Sequence, residues 1–142
     1  MGAGLARDVK LKWPNAPYWY AFHIKEHISK APEGRNPHME DLNLYDLLAV
    51  HQEMRLIFFP VKTAWQQQAR KGLIKASLDN LGLLLTKPMM EGQKVAFPRV
   101  GTGNGALLWE EDVKPLIRAF LEGLDEEIRA KLVIVHPPEQ FI

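Results

Sequence analysis

Apolar residues recur along this chain at two spacings, one suited to helices and one to strands. In residues 3–13, Leu5, Val9 and Trp13 return every fourth position, with Arg7, Asp8, Lys10 and Lys12 between them. Side chains four apart share a helix face, so this stretch predicts a helix. Pro14 ends it, because proline and the residue before it disfavour helical continuation. A second helix is predicted over 17–29, with Pro17 at its start and Tyr18, Ala21, Phe22 and Ile28 on one side. Lys30–Asn43 carries Pro32, Gly34 and Pro37 and reads as a loop.

Two short apolar runs follow, 46-DLLAVH-51 and 55-RLIFFP-60, separated by a few polar residues. That spacing suits a hairpin or adjacent strands. Residues 72–86 place Ile74, Leu78, Leu81 and Leu85 at helical spacing, and Lys94–Pro98 reads as a buried-type strand. A glycine-rich stretch, 101-GTGNG-105, comes next. A helix over 110–123 carries Val113, Leu116, Ile117, Phe120 and Leu121 on one face. Glu110, Glu111 and Asp112 open it, as the helix dipole favours. Pro115 fits only in its first turn. Leu132–His136 is the last strand, closed by Pro137 and Pro138. The order α-α-β-β-α-β-α-β makes the protein an α/β chain, with its final β-α-β a parallel, right-handed unit. No Pro/Gly/Ser-rich linker divides it, so residues 1–142 are read as a single domain.

Composition narrows the chemistry. Apolar residues make up 46% and charged residues 25%, the balance of a soluble globular domain. A formal charge of +1 argues against a strong bulk field for DNA or membrane, although Arg7, Lys10 and Lys12 cluster near the start. With no cysteine there is no disulfide, no thiolate nucleophile and no cysteine zinc site. His23 and His27 are four apart, but Ile24, Lys25 and Glu26 between them do not make the HExxH order. They read as a solvated or partly packed pair, and no metal is expected. No apolar run has the length of a membrane span and no signal-peptide pattern opens the chain. The expectation is a cytoplasmic protein without a membrane partner.

The glycine loop is the best local signal for binding. It follows a strand and opens a helix, where backbone N–H groups and a helix N-terminus converge on an anion. Alternating glycines let a diphosphate approach the backbone closely. No Gly-Lys-Ser/Thr follows, so it is not a P-loop, and its third glycine falls one position early for the dinucleotide fingerprint. A plain tight connection is the alternative. Gly2 and Gly4 form a weaker pair ahead of the first helix. Lys62 directly follows 56-LIFFPV-61, at the end of a strand, where ligand groups gather in open α/β sheets. A lysine there pairs with a phosphate, acts as a nucleophile once it loses its proton, or simply faces solvent. Trp65 either stacks on a base or ribose or packs as a lid. No Ser-His-Asp set can be ordered. Glu110–Glu111 and Glu126–Glu127 read as helix-start and solvated charges, and Trp13, Trp19, Trp65 and Trp109 as packing residues more than a stacking stripe.

Three segments taken together resemble the macro-domain family. MGAGLARDVKLKWP is similar to a first ligand loop and helix, FFPVKTAW to a strand followed by a catalytic lysine, and VAFPRVGTGNGALLWEEDVKPLI to a second ligand loop and helix. The branch is that of the terminal ADP-ribose protein glycohydrolase and the bacterial antitoxins that strip ADP-ribose from DNA. The resemblance implies a three-layer α-β-α fold with a mixed twisted sheet, and ADP-ribose as ligand with no cofactor. It implies that Gly2, Ala3 and Gly4 lie near the distal ribose. It implies that Gly101, Thr102, Gly103, Asn104 and Gly105 wrap the diphosphate, and that Lys62 attacks the anomeric carbon.

Two departures shape these expectations. Family members carry strands upstream of the MGxG loop, including an Asp that reads adenine; with Met1 inside that loop, the chain reads as an N-terminally truncated macro domain with an uncovered sheet edge. The protein-specific glycohydrolase has a catalytic Asp in the second loop where this sequence has Gly105, which leans towards the bacterial DNA-acting pattern. The expected function is hydrolysis of ADP-ribose from DNA thymidine or an acidic protein side chain, in a DNA-damage or antitoxin setting opposite an ADP-ribosyltransferase toxin. The alternatives are a reader that binds ADP-ribose without turnover and an unrelated phosphate-binding α/β domain.

Overall fold

The computed structural model describes residues 4–29, 48–62, 67–103 and 105–136. The first two helices, α1 (Gly4–Lys12) and α2 (Ala16–Ser29), lie close to their expected bounds. The turn between them is closed by Trp13 N–H to the Val9 carbonyl at 2.7 Å and Ala16 N–H to the Trp13 carbonyl at 2.9 Å. Strands β1 (Ala49–His51) and β2 (Leu56–Phe58) then form an antiparallel hairpin, with Ala49 opposite Phe58 and Val50 opposite Ile57.

The hairpin is a middle layer, and its two faces follow from the period of two along a strand. Ala49, Leu56 and Phe58 point to one side. With Ala16, Val9, Trp13, Trp19, Tyr20 and Met54 they make a small core under α1 and α2. The Tyr20 ring stacks on Phe58 at 4.7 Å. Leu48, Val50, Ile57, Phe59 and Val61 point the other way, into a larger core.

That larger core is centred on α3 (Lys71–Leu85), which buries Leu73, Ile74, Leu78, Leu81, Leu84 and Leu85 on the stripe its apolar spacing predicts. After a 3₁₀ turn at Pro88–Met90, β3 (Val95–Phe97) pairs in parallel with β4 (Leu132–Ile134), Val95 lying opposite Leu132 and Phe97 opposite Ile134. This is the expected β-α-β unit. Its ladder runs on through Val135 N–H to the Phe97 carbonyl at 2.8 Å. The two ladders meet where Phe59 abuts Phe97 edge to face at 5.1 Å. Both pairing senses of a mixed sheet are present, and among the described residues they form two two-stranded ladders.

Two local expectations need correction. β3 is half-buried: Ala96 is exposed, and Val133 opposite it is 46% exposed, because among the described residues the helices pack on the face bearing Phe97 and Ile134. The expected helix over 110–123 is a wide π-type turn at Trp109–Val113 followed by α4 (Lys114–Glu122), with Pro115 in the first turn of α4. Proline has no N–H for the 111 carbonyl and its ring crowds that group, so the preceding turn opens. A short helix, α5 (Glu126–Arg129), precedes β4; it is too short to show a period. No helix among the described residues is long and apolar enough to cross a membrane.

Candidate functional site

The glycine loop follows β3, and its three glycines do different things. Gly101 has φ 75°, the left-handed region that disfavours side chains. A Cβ there would stand 3.1 Å from Ile74 Cδ1 and 3.2 Å from Ala69 Cβ. At Gly105 a Cβ would stand 2.6 Å from the Gly101 carbonyl oxygen and 2.8 Å from Ala69 Cβ. Both positions are glycine because the protein itself fills the space. A Cβ at Gly103 would meet nothing within 4 Å. Gly103 is exposed, so the open side of the loop lies there.

The loop is shaped by its own hydrogen bonds. Leu107 N–H donates to the Gly101 carbonyl at 2.9 Å and Ala106 N–H to that of Gly103 at 3.0 Å. The Thr102 hydroxyl donates to the Arg99 carbonyl at 2.7 Å. Ala106, with φ 61°, turns the chain back towards the core.

The helix after the loop does not open directly from it, contrary to what the sequence pattern suggests. Its first turn begins at Trp109, beyond an extended stretch. Leu108 N–H at that start is taken by Asp112 Oδ2 at 2.8 Å, and Asp112 pairs with Lys71 at 3.4 Å. The Leu108 N–H, reinforced by Lys71, holds the Asp112 carboxyl below its ordinary range. A carboxylate of the chain thus takes the first backbone donor of that turn.

Lys62 is half-buried at the exit of β2. The backbone leading to it is fixed by α3: the buried Ser77 hydroxyl donates to the Pro60 carbonyl at 2.7 Å, and Arg70 N–H donates to the Val61 carbonyl at 2.8 Å. The neighbouring Ala69 N–H donates to the Gly105 carbonyl at 2.8 Å. Two consecutive peptide N–H groups therefore hold the lysine's strand end and the glycine loop together. The Val61 and Gly105 carbonyls lie within about 10 Å of each other, since adjacent backbone nitrogens are separated by one residue. The backbone leading to Lys62 and the end of the 101–105 loop, far apart in sequence, are thereby neighbours.

Ser77 and Ala69–Arg70 went unread in the sequence. Ser77 left a trace as a polar residue on the apolar stripe of α3; the backbone donors left none. Gly2, Ala3, Trp65 and Asn104 lie outside the described residues. Gly4 opens α1, on the small-core side of the hairpin. His23 stacks on Trp19 at 5.7 Å, and Glu110 pairs with Lys114 at 3.1 Å on an exposed helix face. Trp13, Trp19 and Trp109 all pack against the two cores. Among the described residues no three acidic or histidine side chains are grouped to hold a metal.

No protein-family model matches the chain. It is 28% identical over 125 residues to a DNA ADP-ribosyl glycohydrolase of Thermus aquaticus, covering 88% of this chain and 32% of that protein. It is 26% identical over 138 residues to the DNA ADP-ribosyl glycohydrolase of Mycobacterium tuberculosis, covering 97% of this chain and 35% of that protein. The chain thus spans about a third of the length of the curated relatives it matches. Among solved structures, the macrodomain of Mycobacterium tuberculosis DarG superposes with a TM-score of 0.63 at 24% identity, covering 98% of this chain and 82% of the other. The fold is that of a macro domain.

Proposed function

We propose that this chain binds ADP-ribose beside the tie between the Lys62 strand end and the 101–105 loop and hydrolyses it from ADP-ribosylated DNA. The observation that carries this reading is the paired tie from Ala69 and Arg70, which joins a strand-end lysine to an open-faced glycine loop. The macro-domain fold and the relatives named for the same reaction support it. The open side at Gly103 admits the diphosphate. Lys62, as the neutral amine, adds to the anomeric carbon of the distal ribose; the bond to the base nitrogen breaks, and the base leaves with a proton. Water then takes the lysine's place, releasing ADP-ribose and restoring the amine.

Position 105 bears on the substrate. A side chain there would collide with the Gly101 carbonyl, so a second-loop carboxylate cannot stand at this point without moving the loop. That favours a lysine acting without an Asp partner, and with it the thymidine-linked DNA substrate over an acidic protein side chain. The substrate must be supplied by an ADP-ribosyltransferase, which we take to be a cognate toxin.

The test is release of ADP-ribose from a modified DNA oligonucleotide and from a carboxylate-modified protein, beside calorimetry with free ADP-ribose. Lys62→Ala should lose at least about a hundredfold in turnover, a typical contribution of one reacting side chain, and little affinity. Full activity in Lys62→Ala would exclude the lysine mechanism. Binding without turnover on either substrate in the wild type would make the chain a reader.

A further inference from the structure

Three side chains meet beside the glycine loop in an arrangement the proposed reaction does not use. Arg99 lies two residues past β3, His136 two residues past β4, and Trp109 opens the turn after the loop. Because β3 and β4 are parallel neighbours, Arg99 and His136 leave the ladder at the same end. Arg99 Nε–H donates to His136 Nδ1 at 2.8 Å. The Arg99 guanidinium lies 5.0 Å from the centre of the Trp109 ring, and the Trp109 and His136 rings meet edge to face at 5.6 Å.

Arg99 is held on two sides, and its backbone carbonyl receives the Thr102 hydroxyl. The residue that leads into the loop is therefore fastened to the residue that leads out of it. His136 anchors both to the sheet. An exposed contact of this kind adds little to global stability, because ordering a long arginine side chain offsets most of its gain. Its effect is local: it limits how far the two ends of the loop can separate.

We propose that Arg99, Trp109 and His136 form a clamp that sets the conformation of the 101–105 loop for binding a diphosphate. All three are positioning residues. The ligand half of this inference rests on the ADP-ribose reading; the clamp itself does not.

His136→Ala removes the acceptor, whereas His136→Asn restores an acceptor oxygen at the position of Nδ1. Two measurements on the full chain separate the outcomes. The first is amide hydrogen exchange at Ala106 and Leu107, whose N–H groups close the loop, in ligand-free protein. His136→Ala should speed exchange there by about five- to tenfold, the loss of one ordinary hydrogen bond, and leave the Leu78 amide unchanged. The second is ADP-ribose affinity, which should weaken by a similar factor. His136→Asn should recover most of both. Unchanged exchange at Ala106 and Leu107 in His136→Ala, or equal impairment in His136→Asn, would overturn the clamp. A wild-type chain that binds no ADP-ribose would refute the ligand, while the exchange measurement still decides the clamp.

Discussion

The two cores on either side of the β1–β2 hairpin are built differently. The larger one sinks Ile74, Leu78, Leu81, Leu85 and Val113 almost completely, and its edge carries the glycine loop. Among the described residues the smaller one buries Ala16, Ala49 and Phe58 and is finished by half-buried aromatic rings. Its helices leave Leu5, Leu11, Tyr18 and Phe22 between 60% and 76% exposed. One hairpin, alternating residue by residue, serves a tight core on one face and a loose one on the other. The lysine and the loop are both tied to the tight side. A site that must hold reacting groups in place gains from residues already fixed by packing.

The strongest way to break this comparison is to damage the tight side. Ile74→Ala removes a fully buried side chain that also backs Gly101. It should cost about 2–5 kcal/mol of stability by denaturant unfolding, as buried truncations do, and loosen the loop. Leu11→Lys on the loose side should stay within about 0.5 kcal/mol. An equal loss at Leu11 would show that this exposed face of α1 is packed as tightly as the large core.

Within the loop the same contrast can be sharpened. Gly105→Ala must displace a backbone carbonyl or Ala69, and should cost about 1–3 kcal/mol in thermal or chemical unfolding. Gly103→Ala meets no protein atom and should leave stability unchanged within about 0.5 kcal/mol. If Gly103→Ala nevertheless weakens ADP-ribose binding in calorimetry, the open side of the loop is the ligand's side. Unaltered affinity would move the ligand elsewhere.

The smallest effect concerns the loose side alone. Burial of Tyr20 raises its hydroxyl to about 12 from the ordinary 10.0. A raised folded value means the contribution is fully present below pH 10, the unfolded value, and is lost as pH rises through about 12. Ultraviolet phenolate titration, followed with amide exchange in α2 and β2, should show the small core loosening across that window before the large core. Tyr20→Phe should remove the step. Simultaneous loss of both cores in the wild type would mean that they melt as one unit.

The pattern along the chain was a good guide wherever one physical rule acted alone. The α3 stripe, the hairpin and the parallel β-α-β unit all follow from spacing, since burial on one face imposes a period directly on sequence. Pro115 likewise announced a helix start, though not that the turn before it would widen. The glycine cluster was visible and its division of labour was not. Gly101, Gly103 and Gly105 look alike as letters, and only the presence of Ile74 and Ala69 behind two of them separates packing from access. Asp112 read as a favourable helix-start charge, which it is, and its bond to Leu108 N–H also takes the first backbone donor of that turn.

The elements, their order and the residues with chemistry to offer are written locally in the chain, because they depend on neighbours a few positions away. Folding places the strand end before Lys62 beside the 101–105 loop. That meeting depends on two backbone N–H groups, at Ala69 and Arg70, that every non-proline residue possesses and no sequence pattern marks. Side-chain identity selects which faces are buried; the hydrogen-bond demands of the backbone then determine which distant segments are held side by side.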